Sequence, residues 1–103
     1  MSRFVRASFT RLNSVCGDSE SESISQFFHI LGSVSQTQGC VKTENGFDRT
    51  IYSSCCNTDR GIYYYKTYNN SQLSAVSLHN ENLDKCDLIT YNLINEQQIK
   101  FQN

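Results

Sequence analysis

The sequence contains no proline and no tryptophan, and it has only one methionine among its 103 residues. It also lacks any apolar run that approaches the roughly 18 residues needed to cross a bilayer, and no signal-peptide pattern opens it. Neither sign of charge dominates, because nine Lys and Arg residues against ten Asp and Glu residues leave a net charge of −1. These absences argue against a membrane protein, a secreted protein and a nucleic-acid-binding protein, and they predict a cytoplasmic location.

Cysteine is present, but in no arrangement typical of a metal site. The five cysteines form no C-x-x-C pair, and an odd number without a secretion signal predicts free thiols. Cys55 and Cys56 are adjacent, so in a strand their side chains point to opposite faces and do not easily share a metal ion. His29 and His79 could complete a zinc site only if the ligand spacing supported one, and it does not. We therefore expect no metal, no cofactor, and cysteines that are packing or surface thiols.

The composition allows one small domain with a thin core. Hydrophobic residues make up 38% of the chain and the mean hydropathy is −0.50, which is low for a globular protein. Six Tyr and six Phe residues nevertheless argue against disorder.

The periodicity of the sequence predicts one helix and a largely antiparallel sheet. Residues 19–36 carry a capping box, Ser19 with Glu22, followed by apolar residues at helical spacing. Asn45-Gly46 is the signal of a tight hairpin. Four segments are predicted as strands of a meander with short polar connections, and residues 79–86 as a short helical turn; the strands are 49–56, 61–68, 72–78 and 87–93. The fold class this predicts is α+β.

The first residues raise a separate question. Residues 3–12, RFVRASFTRL, alternate well enough to predict a strand, with Arg3, Val5, Ala7 and Phe9 on one face and Arg6 on the other. Arg3 would then lie on the apolar face, where a guanidinium must be buried or line a cavity and must find acceptors. Arg3 is the candidate site residue for this reason, with Arg6 as the second choice.

The position of Arg3 at the start of the sequence is explained by a resemblance to a known family. The opening SRFVR, the segment SQFFHILGSV and the pair TIYSSCCN and GIYYYKTY resemble the C-terminal third of the choloylglycine hydrolase family, the conjugated bile salt hydrolases and penicillin V acylases of bacteria. The likeness runs over essentially the whole chain and is greatest to the bile salt hydrolases. It implies part of an N-terminal-nucleophile hydrolase fold, an αββα sandwich of antiparallel sheets, with residues 1–103 as an incomplete domain.

The resemblance also implies a reaction, which is hydrolysis of the amide that joins glycine or taurine to a bile acid. In the family an N-terminal cysteine thiolate attacks the amide carbonyl, and Asn and backbone donors stabilise the oxyanion. An Asp and two Arg complete the polar cluster, and the motif matched by SRF carries the second of them. The resemblance therefore assigns Arg3 the role of orienting and poising the nucleophilic thiol.

The family's nucleophile has no counterpart here. Ser2 follows Met1, but it belongs to the SRF segment, and none of the five cysteines matches the nucleophile. We therefore expect a C-terminal fragment that is inactive alone, because such sites lose most of their rate without the nucleophile, and that needs the missing N-terminal part as its partner. The alternatives are a non-enzymatic α+β module that binds or complements a separately encoded partner, and a fragment of a penicillin V acylase. Alone, the strands would leave unpaired edges and exposed aromatic faces, so poor solubility or self-association is a further expectation. A homo-oligomer is a separate expectation, which the resemblance implies because family members form homo-oligomers.

Overall fold

The structure is a computed structural model that describes residues 2–103. The chain forms two compact units, the first ending at Thr50 and the second comprising Ile51–Asn103. The first unit contains α1 (Arg3–Asn13), α2 (Glu20–Gly32), β1 (Val41–Thr43) and β2 (Gly46–Asp48). The second contains β3 (Tyr52–Asn57), β4 (Ile62–Thr67), β5 (Asn70–Ser77) and a 3₁₀ turn at Leu78–Asn80. The predicted α+β class is confirmed, but with two helices instead of one.

The strand predicted over residues 3–12 is wrong, because these residues form α1. Ser2 is the N-cap, and its hydroxyl accepts a hydrogen bond from Val5 N at 3.1 Å, which satisfies one of the free donors at the start of the helix. The apparent alternation of the segment hid a helical pattern, since Val5, Phe9 and Leu12 recur at intervals of four and three residues. A helix places Arg3 and Arg6 on neighbouring positions of one face, not on opposite faces as predicted.

Helix α2 begins as the sequence predicts. The Ser19 hydroxyl accepts from Glu22 N at 3.1 Å, and the Glu22 carboxylate accepts from Ser19 N at 3.1 Å, which completes the capping box. The helix ends at Gly32, well before residue 36. Ile24 and Phe28, one turn apart, are its buried apolar residues, and they are the only two buried hydrophobic side chains within residues 2–103. The thin core expected from the composition is confirmed.

The predicted hairpin and meander are both present. Strands β1 and β2 pair across a turn at residues 44–45, and Gly46, the first residue of β2, has a φ of +120° that suits glycine. In the second unit, β3, β4 and β5 form an antiparallel sheet in sequence order. Cys56, Tyr63 and Val76 pair across it in one row, and neighbours along each strand alternate between its two faces.

The end of the chain departs from the prediction. Residues 87–93 were predicted to be a strand, but they form no regular structure. The helical turn predicted at 79–86 lies earlier, at Leu78–Asn80, as a 3₁₀ turn. Within the described residues, no helix is long and apolar enough to cross a membrane.

Candidate functional site

Arg3 is the first residue of α1, and the fold gives its side chain a fixed partner. Its Nε donates a hydrogen bond to the backbone carbonyl of Val34 at 3.0 Å. Val34 lies just beyond the C-terminal end of α2, and its own N–H donates to Leu31 O at 3.1 Å. The two helices of the first unit are therefore joined, at this point, through one arginine.

The electrostatics of the two helix ends explain this arrangement. A cation at the first position of a helix faces the positive end of that helix's dipole, which is unfavourable, whereas a cation near a helix C-terminus is favoured. Arg3 combines both situations, because it starts α1 and binds at the C-terminal end of α2. The favourable interaction with the C-terminal end of α2 offsets the repulsion at the start of α1 and holds the guanidinium in place.

The segment that carries the Val34 carbonyl is itself held. Gln36 N donates to Thr50 Oγ1 at 2.8 Å, and Thr50 N donates to Gln36 O at 3.1 Å. These two bonds fix the chain two residues beyond Val34. Sequence reasoning did not identify Val34, Gln36 or Thr50. Val34 and Gln36 act through backbone groups, which leave no signature in residue type, and the Thr50 hydroxyl pairs with a residue 14 positions away.

The expected burial of Arg3 is wrong, because its side chain is exposed. Its Nε is occupied by Val34 O, while no acceptor within residues 2–103 takes a hydrogen bond from its two terminal nitrogens. The guanidinium thus has one anchored edge and one open edge. An arrangement of this kind can bind a carboxylate or orient a thiolate supplied from elsewhere.

The neighbouring candidates have other roles. Arg6 is exposed, and its described hydrogen bonds come from its backbone: its N–H donates to Ser2 O at 3.0 Å, and its carbonyl accepts from Thr10 Oγ1 at 2.8 Å. Ser2 is used as the N-cap, so its hydroxyl serves the helix.

The face of α1 opposite Arg3 is apolar and open. Val5, Phe9 and Leu12 lie on it at exposures of 50%, 64% and 74%, and Phe4 beside them is 81% exposed. By contrast Ala7, on the Arg3 side of the helix, is half-buried. An amphipathic helix ordinarily buries its apolar side, so this surface, which we call the α1 apolar face, is suited to contact with other polypeptide.

The cysteines form no site with one another. All five are free thiols, and no group of three metal-ligating side chains occurs among residues 2–103. Cys55 is half-buried, and its pKa is raised by desolvation and then by the neighbouring Cys56. Cys56 is exposed on the opposite face of the sheet, where it borders an open apolar cavity with Ile62, Tyr63 and Val76. High thiol pKa values lower reactivity, so Cys55 is poorly suited to nucleophilic chemistry.

Comparison with known proteins gives consistent matches along the chain. Residues 1–91 match the choloylglycine hydrolase family of linear amide C–N hydrolases. A bile salt hydrolase/transferase of Lactiplantibacillus plantarum is 59% identical over 99 residues, which is 95% of this chain and 31% of that protein. One from Clostridium perfringens is 42% identical over 91 residues, 87% of this chain and 28% of that protein.

A solved structure gives the same result. The crystal structure of a mutant conjugated bile acid hydrolase from Clostridium perfringens matches with a TM-score of 0.88 at 37% identity, over 98% of this chain and 31% of that one. The matched region is the C-terminal part of the relatives. The chain therefore spans about a third of the length of the proteins that it matches.

Proposed function

Because the chain belongs to the choloylglycine hydrolase family, we propose that it forms the C-terminal part of a bile salt hydrolase and supplies Arg3 to that enzyme's active site. The reaction is hydrolysis of the amide between a bile acid and glycine or taurine. The curated relatives bear bile salt or conjugated bile acid hydrolase names, which favours this substrate class over penicillin V. The compartment that we propose is the bacterial cytoplasm, where five unpaired thiols are stable.

The observation that carries this proposal is the half-anchored guanidinium of Arg3. Its Nε is fixed on Val34 O, so the open edge has a defined direction and loses little entropy when it binds an anion. A cation held beside a thiol favours the thiolate, the form that attacks an amide carbonyl. Arg3 would thus act as a positioning residue that orients the nucleophile and stabilises its charge, while the nucleophile does the covalent chemistry.

The nucleophile must come from polypeptide outside these 103 residues, whether it belongs to a longer chain or to a separate one. The α1 apolar face supports such an association, because each large apolar side chain that becomes buried contributes about 1.5–3 kcal/mol. Four such side chains, Phe4, Val5, Phe9 and Leu12, are available on one side of α1. We expect this face to be covered by the remaining two thirds of the hydrolase.

A complementation assay tests the proposal. The segment of the Lactiplantibacillus plantarum enzyme that lacks a counterpart here is co-expressed with this chain, and release of glycine or taurine from conjugated bile salts is measured by mass spectrometry. We expect thiol-dependent turnover from the pair and none from either part alone.

The relative's own C-terminal segment is the matched control, since it is 59% identical to this chain over 99 residues. If that segment restores turnover and this chain does not, the proposed function is wrong. Turnover by this chain alone would also contradict it.

A further inference from the structure

Residues 94–98 lie beyond the match to the family model, which ends at residue 91, and three hydrogen bonds hold them on the sheet of the second unit. Ile94 N donates to the hydroxyl of Tyr65 at 3.2 Å. Ser71 N donates to Gln97 Oε1 at 3.1 Å, and Gln98 N donates to Asn70 Oδ1 at 3.1 Å. These contacts join residues 26 to 29 positions apart, although the segment has no regular secondary structure of its own.

Asn70 is the centre of this contact. It is 1% exposed, the most deeply buried polar residue described. Its N–H donates to Thr67 Oγ1, and its Oδ1 accepts from Gln72 N at 3.2 Å as well as from Gln98 N. Because two backbone donors converge on Oδ1, the amide cannot be turned around without facing two N–H groups with its own NH₂. One oxygen therefore ties the start of β5 to the end of the chain.

The amide nitrogen of the Asn70 side chain is in an unfavourable environment in this orientation. Nδ2 is buried and has no hydrogen-bond partner within the described residues. An unpaired buried donor is unfavourable, so the orientation persists because the two bonds at Oδ1 outweigh it. A neutral amide also avoids burying the charge that Asp would bring to the same place.

We propose that residues 94–98 form an intramolecular strap and that Asn70 latches it. The strap starts at Tyr65 on the central strand β4 and ends at Asn70 and Ser71, the first residues of β5. Strand β5 lies at the edge of the three-stranded sheet, where unpaired backbone groups invite pairing with another chain. The strap occupies the beginning of that edge and fixes the β4–β5 turn. This inference does not depend on the proposed hydrolase function.

A strap acts as one unit, so releasing it at one end must loosen the other. Amide hydrogen exchange, followed by NMR on the whole 103-residue chain, reads this directly. In Tyr65→Phe, which removes only the hydroxyl, we expect the Ser71 and Gln98 amides to lose about five- to tenfold protection. Their own acceptors are untouched in this variant.

The reciprocal variant, Asn70→Ala, should reduce protection of the Ile94 amide by a similar factor, although the Tyr65 hydroxyl is still present. Tyr63→Phe is the matched control, because Tyr63 lies on the same face of the same strand and is 41% exposed; Asn69→Ala controls for the turn. Both should leave the three amides unchanged.

The sheet itself provides the internal reference, through the amides of the β3–β4 ladder. If Asn70→Ala also reduces ladder protection, the sheet has been disturbed, and the result of Tyr65→Phe then decides alone. The proposal is overturned if each variant changes only the amide that it directly unpairs, or if the Ile94 and Gln98 amides exchange without protection in the unaltered chain.

Discussion

Substitution of Arg3 by Ala separates a positioning role from a structural one. The contact that this change removes is a single hydrogen bond, Nε to Val34 O at 3.0 Å, made by an exposed side chain. A charged hydrogen bond contributes about 1.5–3 kcal/mol when protected, but solvent screening reduces exposed ionic contacts to about 0.2–1 kcal/mol. Removing a cation from the first turn of α1 also relieves its repulsion by the helix dipole, which stabilises the helix by about 0.3 kcal/mol or more.

The net change in the free energy of unfolding should therefore stay below about 1 kcal/mol, which corresponds to less than about 4–8 °C in the melting temperature of a domain this small. The effect on turnover of the reconstituted hydrolase should be far larger. Removal of one preorganised electrostatic group from an active site lowers kcat by about 10²–10³.

Two measurements on the same variant test this reasoning, thermal unfolding of the chain and turnover of the complemented enzyme as a function of pH. Loss of the guanidinium should raise the pKa of the nucleophilic thiol and shift the rising limb of the pH–rate profile to higher pH. Arg6→Ala is the matched control, because Arg6 is exposed on the same helix and should change neither measurement. Unchanged turnover in Arg3→Ala would refute the assignment, as would a fall in turnover that merely follows a large fall in stability.

Further predictions concern the capping box, the thiols and the exposed apolar surface. Ser19→Ala should destabilise α2 by about 1 kcal/mol, measured by chemical denaturation. Hydrogen bonds from the Ser19 backbone and hydroxyl lower the pKa of Glu22. The contribution of Glu22 to the free energy of unfolding should therefore be complete above its unfolded-state pKa and vanish as the pH falls through the lower folded-state pKa. A Glu22→Gln variant should lack this pH dependence. Alkylation followed by mass spectrometry should label Cys55 last, since it is the half-buried thiol with the raised pKa, and equal rates for all five cysteines would contradict this. Size-exclusion chromatography of the chain alone should reveal self-association through the α1 apolar face, which Phe9→Ser and Leu12→Ser should reduce; a compact monomer would contradict this prediction.

The parts of the fold that could be predicted from sequence are those set by local chemistry. Ser19 and Glu22 satisfy each other's backbone groups within four residues, so the start of α2 needs no information from elsewhere. The meander is equally local, because the connections around Gly61 and Asn70 are too short for anything but antiparallel pairing.

The errors occurred where packing overrides local pattern. Residues 3–12 combine aromatic and β-branched residues with partial alternation, and they were predicted to be a strand although Val5, Phe9 and Leu12 also fit a helix. The partial alternation favoured a strand, and the helical spacing of these three residues is not supported by burial within the described part of the chain, because their side chains are exposed. Residues 87–93 have strand-like composition, but a strand exists only where another strand offers hydrogen bonds, and none pairs with them among residues 2–103.

The replacement of the predicted strand by helix α1 also changes the argument for the candidate site. The prediction that Arg3 is functional came from an apparent conflict, a cation on the apolar side of a strand, and that conflict disappears in a helix. The structure shows a different conflict: Arg3 of α1 binds at the end of α2, while the α1 apolar face is exposed. A helix that packed only for the stability of this chain would do the opposite. Both features follow if α1 contacts further polypeptide through its apolar face while its first residue, anchored on Val34, presents an open guanidinium edge to a group that the other polypeptide supplies.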